Sequence, residues 1–556
     1  MAASSITIRP SAIEIAHAVA AAIPSEVSTR PLLGILGVVT GAGVVTLSSR
    51  MISLGLADFR GLHGFGYDQS AWIGTAFDVG LMFIGPFTVY LGGLMGPRRI
   101  LLTAAALFSA LFTLLPFVHS YSLAIAMVLL GGLTAGTFYP LTLTFALRNI
   151  PLRYLPFTLA LYATFVDGAV NIAPSLYGWY RDHLSSNWMF WNSALITPVM
   201  MICIYYGIPK ASSAKRSGEA PSFAGFLYAS AGLAILLAAC EQGERLDWWR
   251  SGVFNALFAS GAFLLLCALV RRLRGPNRLV ALPYLFKWNT VLLGSLLFWF
   301  RFTLCTTIIL VPQALAIRGF EPGQIGPAII WSAVPLIPLA FTAALLLLHK
   351  FDPRLLLAIG LACTAFAACL NSQYSSTWAA ENFYRTELLT GVGQAFAFIG
   401  LVGCIVLQAI FAGALAKPEW VLTLSAYFHI VRIFGGTVGA IYMGHFISRR
   451  EKLHSNTLGL HVSGGDWITF QNIHAMTAGL SAKSSGIAAA GARAVDLIAV
   501  RLRLQAYSLS ILDGFLLIAW SCACALMFVA LLRRSPLNYG DLSGMQQIPA
   551  AEKESN

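Results

Sequence analysis

Long apolar runs alternate with short polar segments along almost the whole chain. A run of about 20 apolar residues, wound as an α-helix, matches the hydrocarbon thickness of a bilayer. The pattern therefore predicts an all-α integral membrane protein with about 14 transmembrane helices. The predicted spans are 32–56, 70–91, 100–118, 123–147, 155–180, 188–208, 223–240, 252–270, 290–317, 325–348, 355–370, 388–414, 421–447 and 511–532.

Two similar turns suggest that these helices form two related halves. Gly96 opens the turn Gly-Pro-Arg-Arg after the second helix, and Asp352 opens Asp-Pro-Arg after the tenth. If the first six helices repeat as the last six, the seventh and eighth are an insert, which is a transporter design. The predicted segments are a cytoplasmic N-terminal segment (1–30), a six-helix bundle (31–208), a linker with two extra helices (209–289), a second six-helix bundle (290–533) with a periplasmic loop at 448–510, and a cytoplasmic tail (534–556).

Composition agrees with the membrane prediction. The chain is 57% hydrophobic and only 11% charged, whereas soluble domains carry about 25% charged residues. With a cytoplasmic N-terminus, 20 of the 36 Lys and Arg residues fall on the cytoplasmic side and six in short outer loops. This bias is typical of membrane topology, so the net charge of +13 does not indicate a nucleic-acid surface. Both termini are therefore predicted to be cytoplasmic.

Several kinds of chemistry are not expected. The nine cysteines lie in or beside apolar runs, without the spacing of a metal site or of a disulfide scaffold. No phosphate-binding Gly-x-x-x-x-Gly-Lys-Ser/Thr motif is present, so ATP hydrolysis is not expected. We predict a protein that is not an enzyme, with no metal and no cofactor.

Five charged residues lie deep inside predicted helices: Arg50, Asp78, Asp167, Arg301 and Arg432. A charge within the bilayer is costly and commonly functional. Asp167 lies near the midplane, at the depth of Arg301 and Arg432, and it is the leading proton-coupling candidate, followed by Asp78. The alternative for both is a fixed structural partner of an arginine. Arg50 and Asp78 lie at the same depth and are expected to pair.

A second group of residues is predicted to bind substrate. Its members are charged or polar side chains within the predicted helices. They are Arg50, Arg301, Arg432, His429, Asn171 and Gln394. His429 could instead be a packing residue, and Asn171 and Gln394 could instead join helices by hydrogen bonds.

The fifth predicted helix reads Gly168-x-x-x-x-Ala173-Pro174-x-x-x-Gly178 and resembles a transporter antiport motif. The stretch 429–439, His-Ile-Val-Arg-Ile-Phe-Gly-Gly-Thr-Val-Gly, resembles a thirteenth transporter helix. On these residues the chain resembles the fourteen-helix drug:proton antiporters of the major facilitator superfamily, the EmrB/QacA type. The resemblance implies conformational roles for Gly168, Ala173, Pro174, Gly178, Arg98 and Arg99.

The chain departs from that family at three sites. Ser48 stands where the family has an Asp in the first helix, and Val128 stands where it has an Arg in the fourth. The loop after the second helix has Met95 or Gly96 in place of an Asp. These groups are linked in the family to coupling or switching, so we expect a divergent member.

The resemblance implies proton-driven export of small organic or drug-like compounds across a bacterial inner membrane, with the proton gradient as energy source. It also implies contact with membrane lipid and work with a periplasmic membrane-fusion adaptor and an outer-membrane channel. Two alternatives stay open. The three membrane arginines favour anions, which fits an uptake symporter or facilitator for an organic anion. The chain could also be a non-transporting sensor or assembly subunit that kept the fold.

Overall fold

A computed structural model of the protein describes most of the chain. The described residues are 30–150, 154–208, 223–274, 282–375, 377–411, 418–462, 465–482, 486–535 and 538–541. Within these ranges every regular element is a helix. The predicted N-terminal segment lies almost wholly outside the described residues, as does most of the predicted C-terminal tail.

Fourteen helical segments are long and apolar enough to cross a membrane, which confirms the predicted all-α membrane fold. We number them span 1 to span 14. In order they are Pro31–His63, Tyr67–Thr88, Pro97–Phe117, Tyr121–Ala146, Leu155–His183, Trp188–Gly207, Phe223–Gly243, Gly252–Arg274, Trp288–Ala316, Pro322–Leu348, Pro353–Asn371, Ala380–Phe411, Thr423–Gly459 and Ile487–Leu531. We call the face where odd-numbered spans begin the inner face, and the opposite face the outer face.

The region 448–510 was predicted as a loop, and this prediction was wrong. The helix of span 13 runs over Pro418–Gly459, a separate helix covers Trp467–Ser481, and the helix of span 14 already begins at Ile487. Hydropathy detects only the part of a helix that lies in hydrocarbon, whereas these helices continue beyond it by packing on one another. We call the helical region 448–510 the outer arm.

Ionic contacts hold the outer arm to span 14. The Arg450 Nε donates to Asp513 at 2.5 Å, and the His454 Nε2 lies 2.7 Å from the same carboxylate oxygen. One turn away, Ser455 donates its hydroxyl to Glu451 at 2.8 Å. Asp513 is therefore the common partner of two side chains from span 13, which fixes the angle at which the arm leaves the membrane domain.

Spans 5 and 13 make most of the contacts between the predicted halves. Span 5 packs against span 10, and span 2 packs against span 13. If spans 1–6 correspond in order to spans 9–14, span 5 corresponds to span 13 and span 2 corresponds to span 10. The contact between spans 5 and 10 is then the counterpart of the contact between spans 13 and 2. Span 7 packs against both span 2 and span 13, and span 8 packs against span 7. The inserted pair thus reaches both halves mainly through span 7, although the exact division into bundles stays a prediction.

The two similar turns at the inner face differ in chemistry. Asp352 caps span 11 by accepting a hydrogen bond from the Arg354 backbone N–H at 3.0 Å, and it pairs with the Arg354 guanidinium at 2.8 Å. Burial alone would raise the pKa of Asp352, but these hydrogen bonds hold it below its ordinary value. Gly96 occupies the matching position with φ +88°, so Arg98 meets no capping carboxylate there and lies 4.4 Å over the Tyr205 ring.

Replacing Asp513 with Ala should loosen the outer arm. The change leaves Arg450 and His454 without their shared carboxylate, which should cost roughly 1 kcal/mol or more of local stability, or about a fivefold faster opening. Hydrogen exchange of residues 448–462 measures this. Asp496→Ala, at an exposed position of the arm, is the matched control. Equal protection in the two variants would mean that these contacts do not hold the arm.

Candidate functional site

The three deepest charged candidates come together between the halves. Asp167 on span 5 is 1% exposed, and its carboxylate interacts electrostatically with Arg301 and then Arg432. Neither guanidinium reaches ion-pair distance, and within the described residues both Asp167 oxygens lack a hydrogen-bond partner. A buried charge without a partner is costly. This carboxyl is therefore positioned to bind a proton or a ligand group. We call Asp167, Arg301 and Arg432 the polar centre.

Span 13 shapes the arginine side of the polar centre. The Arg432 guanidinium lies 3.7 Å from the centroid of the Tyr139 ring, a cation–π distance. Arg301 lies against Gly435 and Gly436, where a Cβ at 436 would stand 3.0 Å from the Arg301 Nη2. The Nε and Nη1 of Arg301 and the Nε of Arg432 are buried without a hydrogen-bond partner in the described residues. The glycine pair thus makes room for Arg301, and both arginines keep donors for a ligand.

Asn171 and Gln394 form a direct link between the halves. The Asn171 Nδ2 donates to the Gln394 Oε1 at 2.7 Å, and both side chains are buried. The Asn171 Oδ1 and the Gln394 Nε2 have no partner among the described residues. The geometry favours the helix-joining interpretation, and it leaves one acceptor and one donor for a ligand.

His429 packs against span 2. Its Nε2 lies 3.0 Å from the Leu81 carbonyl oxygen, so that nitrogen carries the proton. A Cβ at Gly85 would stand 2.0 Å from the same atom, so position 85 must be glycine for the ring to fit. The structure supports the packing interpretation of His429 and places it beside Tyr139, with ring centroids 6.4 Å apart.

The expected ion pair between Arg50 and Asp78 is wrong. The Arg50 Nη2 donates to the Ile308 carbonyl at 3.3 Å, within a π-helical turn of span 9 where the regular hydrogen-bond ladder is interrupted. Asp78 instead accepts from the Ser49 hydroxyl at 3.3 Å. The sequence predicted the height of Arg50 and Asp78 along their helices. It did not predict the direction in which each side chain points, because neighbouring residues point about 100° apart around a helix axis.

A carboxyl that the sequence analysis missed lies beside Asp78. Glu241, near the outer end of span 7, lies close enough to Asp78 for the two carboxyl groups to interact, and Thr75 of span 2 and Thr437 of span 13 lie beside it. Two neighbouring carboxyl groups repel each other when both are ionised, which favours a proton on one of them. The predicted seventh helix ended at 240, which placed Glu241 in a loop. The only sign of Glu241 in the sequence was that it lies among polar residues at the end of an apolar run.

Salt bridges fasten the outer end of span 7 to both halves. Arg245 pairs with Asp68 of span 2 at 2.6 Å, and Glu244 lies 3.1 Å from His445 of span 13. Span 7 therefore touches the one interface where spans 2 and 13 meet. Any movement between those spans must also change the surroundings of the Asp78–Glu241 pair.

The residues of the antiport motif divide into two kinds. A Cβ at Gly178 would stand 2.7 Å from the Gly323 Cα at the start of span 10, so the two backbones touch. A Cβ at Gly168 would meet only Leu336, at 3.7 Å, an ordinary contact. Ala173 and Pro174 are buried inside span 5. Gly178 alone therefore acts in close helix packing at the outer face.

The remaining predicted positions lie away from the polar centre. Arg98 and Arg99 sit at the inner end of span 3, and Arg99 is exposed. Ser48 donates its hydroxyl to the Val44 carbonyl at 2.7 Å and to the Ser193 hydroxyl at 2.8 Å, which ties span 1 to span 6. Val128 is fully buried. The departures from the family pattern at positions 48 and 128 thus serve packing.

Comparison with known proteins gives consistent matches. The model of the Major Facilitator Superfamily matches residues 38–440. The chain is 24% identical to "Probable multidrug resistance protein EmrY" of Escherichia coli over 74% of this chain and 79% of that protein. It is 23% identical to "Multidrug export protein EmrB" of Haemophilus influenzae, covering 77% of this chain and 83% of that protein. It is 24% identical to "Fatty acid resistance protein FarB" of Neisseria gonorrhoeae, covering 75% and 81%.

Among solved structures, the chain resembles the proton:xylose symporter XylE. The TM-score is 0.54 at 11% sequence identity, and the match covers 93% of this chain and 99% of XylE. At this identity the likeness concerns the fold alone. It supports the arrangement of spans and carries no information on substrate.

Replacing Gly178 with Ala should open the outer contact between spans 5 and 10. The added methyl group meets backbone atoms that cannot turn away, so the spans must separate at a cost of roughly 1–3 kcal/mol. Hydrogen exchange of Pro322–Ile329 should then quicken by about fivefold or more. Gly61→Ala, where no atom lies within 4 Å, is the control. Unchanged exchange in the Gly178 variant would contradict this close contact.

Proposed function

Because the chain belongs to the Major Facilitator Superfamily, we propose that it is a proton-coupled exporter of small organic, drug-like compounds. The resemblance to the EmrB type is confirmed at low identity, which makes the chain a divergent member. The observation that carries the proposal is Asp167, a buried carboxyl without a partner that faces two arginines between the halves. An ionisable group of this kind inside a membrane is typical of a proton or substrate pathway.

Export is supported by the relatives. EmrY and EmrB are named for multidrug resistance and export, and FarB for resistance to fatty acids. The chain covers about four fifths of each of these proteins. Those names share resistance to, or export of, drugs or fatty acids, and we assign the export of such organic compounds to this chain.

Antiport needs a carrier that holds either protons or substrate. Asp167 suits this task because no side chain of the described residues hydrogen-bonds to its oxygens. Protonation from the outer side would lower the affinity for substrate, and release of the proton on the inner side would restore it. The neighbouring carboxyl groups of Asp78 and Glu241 supply a second place for a proton.

Alternating access requires contacts that can break in turn. At the outer face, Arg181 of span 5 pairs with Glu321 beside span 10 at 2.6 Å. Nearer the inner face, the Thr144 and Ser425 hydroxyls lie 3.2 Å apart across the halves. Each is a single polar contact of about 1 kcal/mol or less. Such contacts can form on one face while those of the other face open.

We further propose that the protein is a multi-pass protein of a bacterial inner membrane with both termini in the cytoplasm. The outer arm would then stand in the periplasm. Its exposed apolar side chains, among them Trp467, Ile468 and Leu497, suit contact with a periplasmic adaptor that leads to an outer-membrane channel. The proton gradient is the proposed source of energy, and no enzymatic activity is proposed.

A second candidate function is uptake of an organic anion by symport or facilitation. Two arginines, Arg301 and Arg432, face the single carboxylate of the polar centre, which favours a negatively charged ligand. The two functions differ in direction. An imposed inward proton gradient drives an exporter's substrate out of the cell and a symporter's substrate inward.

Replacing Asp167 with Asn should uncouple transport. Asn cannot exchange a proton, so substrate-linked proton flux in proteoliposomes should fall by about tenfold or more. Ethidium and decanoate are the first probes, with internal pH read by a trapped dye. Asp496→Asn makes the same substitution at an exposed arm position and should transport normally. Full coupled flux in the Asp167 variant would show that another group carries the proton.

Replacing Glu241 with Gln tests the second proton site. The amide keeps the size and polarity of the carboxyl group beside Thr75 and Thr437 but cannot release a proton. We expect fewer protons moved per substrate while substrate binding persists. Simultaneous measurement of the two fluxes gives this ratio. An unchanged ratio would assign the Asp78–Glu241 pair a purely structural role.

A further inference from the structure

One buried carboxyl takes no part in the polar centre or in the Asp78–Glu241 pair. Glu387 of span 12 is fully buried, and neither of its carboxyl oxygens has a hydrogen-bond partner within the described residues. It lies about 10 Å along the span from the outer end at Ala380. The predicted twelfth helix began at 388, so the sequence analysis placed Glu387 in a loop. The structure instead buries it inside the membrane domain.

No charged group compensates Glu387 within the described part of the chain. Span 10 carries no ionisable side chain, and span 9 carries none beyond Cys305. The ionisable side chains at about this height on the other packed elements are Tyr177, Tyr180, Arg181 and Asp182 on span 5, Cys369 on span 11, and Glu381, Tyr384 and Arg385 on span 12. None of them interacts electrostatically with Glu387 or donates a hydrogen bond to it. An ionised carboxylate at this position would have no countercharge.

The polar side chain of span 11 at this height does not compensate Glu387 either. Spans 11 and 12 run antiparallel, and a Cβ at Gly393 would overlap Thr364. Asn371 lies seven residues from Thr364 toward the outer face, which brings it to the level of Glu387. Both polar atoms of the Asn371 side chain are buried without a partner among the described residues. Because an ionised carboxylate without a cation or a donor is costly to bury, the neutral, protonated form of Glu387 fits this site.

Glu387 faces the place where spans 5, 10 and 12 meet. Gly391, one turn further along span 12, lies against span 10, because a Cβ there would overlap the Ser332 carbonyl oxygen. Gln394, two turns along, hydrogen-bonds to Asn171 of span 5. Around the axis of span 12, Glu387 points between these two directions, about 40° from Gly391 and about 20° from Gln394. Its side chain is therefore directed toward both neighbouring spans.

The outer contact between spans 5 and 10 lies at the level of Glu387. Gly178 and Glu387 are each seven residues nearer the outer face than the hydrogen-bonded pair of Asn171 and Gln394. Seven residues are almost two full turns, so Gly178 and Glu387 point in nearly the same directions as that pair. Gly178 packs against the backbone of Gly323 on span 10. The contact of spans 5 and 10 at the outer face thus covers Glu387.

We propose that Glu387 is a proton-binding site of the outer interface, which takes up a proton from the outer solution when spans 5, 10 and 12 close over it and returns that proton when they separate. A glutamate in water has a pKa of about 4.3 and is ionised near neutral pH, whereas the closed interface accepts the neutral form. Closing therefore binds one proton at a carboxyl oxygen. This inference rests on the proposed function and adds a step to it, because acid on the outer side drives the outer face closed after substrate release.

Infrared spectroscopy of the protein in nanodiscs tests the protonation of Glu387 directly. A protonated carboxyl group has a carbonyl stretching band that an ionised carboxylate lacks. At about pH 6, where an exposed glutamate is ionised, the spectrum of Glu387→Gln should lose the part of this band that corresponds to a single carboxyl group per protein. Glu381→Gln makes the same substitution at a nearby exposed position and should leave the band unchanged.

Hydrogen exchange at a series of pH values tests the link between this proton and closing. The measured segment is Pro322–Ile329 of span 10, with rates corrected for the intrinsic effect of pH on exchange. Because opening releases one proton, the opening equilibrium of the unmodified protein should rise by about tenfold per pH unit above the pKa of an exposed glutamate. Glu387→Gln stays neutral and should lose this dependence, whereas Glu381→Gln should keep it.

Three results would overturn the inference. The first is a carbonyl band of the same size in Glu387→Gln and in Glu381→Gln. The second is an equal pH dependence of exchange in the two variants, which would assign proton-linked closing to another group. The third is protection of span 10 that appears only after ethidium is added, which would make Glu387 a site for a cationic substrate. Neither measurement involves transport, so absence of substrate-linked proton flux with both expectations met would count against the proposed function alone.

Discussion

The buried carboxyl of Asp167 is the constraint on which the rest of the site depends. A membrane offers no water to a charged group, so each must be paired, protonated or in use. Both oxygens of Asp167 are unpaired, and two arginines stand near but out of ion-pair reach. The residues around the polar centre accommodate its two arginines. Gly435 and Gly436 give Arg301 its space, and Tyr139 supports Arg432 through its ring face.

The inserted helices extend this polar system. Span 7 brings Glu241 to Asp78 at the junction of spans 2 and 13, and Arg245 and Glu244 fasten it there. A helix pair that lies outside both predicted bundles thereby takes part in the interface between them. This offers a physical reason for retaining the insert, since a divergent member without the first-helix carboxyl gains another carboxyl from span 7.

Much of the fold could be read from the sequence, because spans in a bilayer are apolar and of nearly fixed length. The depth of Asp167, Arg301 and Arg432 was also predictable, since residue number gives height along a helix. The direction in which each side chain points was harder to predict, because neighbouring spans can rotate about their axes. Arg50 was expected to contact Asp78, but Ser49 does so. Glu241 and the outer arm were missed for one reason. Hydropathy marks the edge of hydrocarbon, and both lie at or beyond that edge within continuing helices.

The central claim is that substrate and proton compete at Asp167. Addition of substrate to the purified protein in weakly buffered solution, followed by a pH dye, measures this most directly. The account predicts release of protons by the unmodified protein and greatly reduced release by Asp167→Asn that still binds substrate. Proton release of the same size in the Asp167→Asn variant would contradict it.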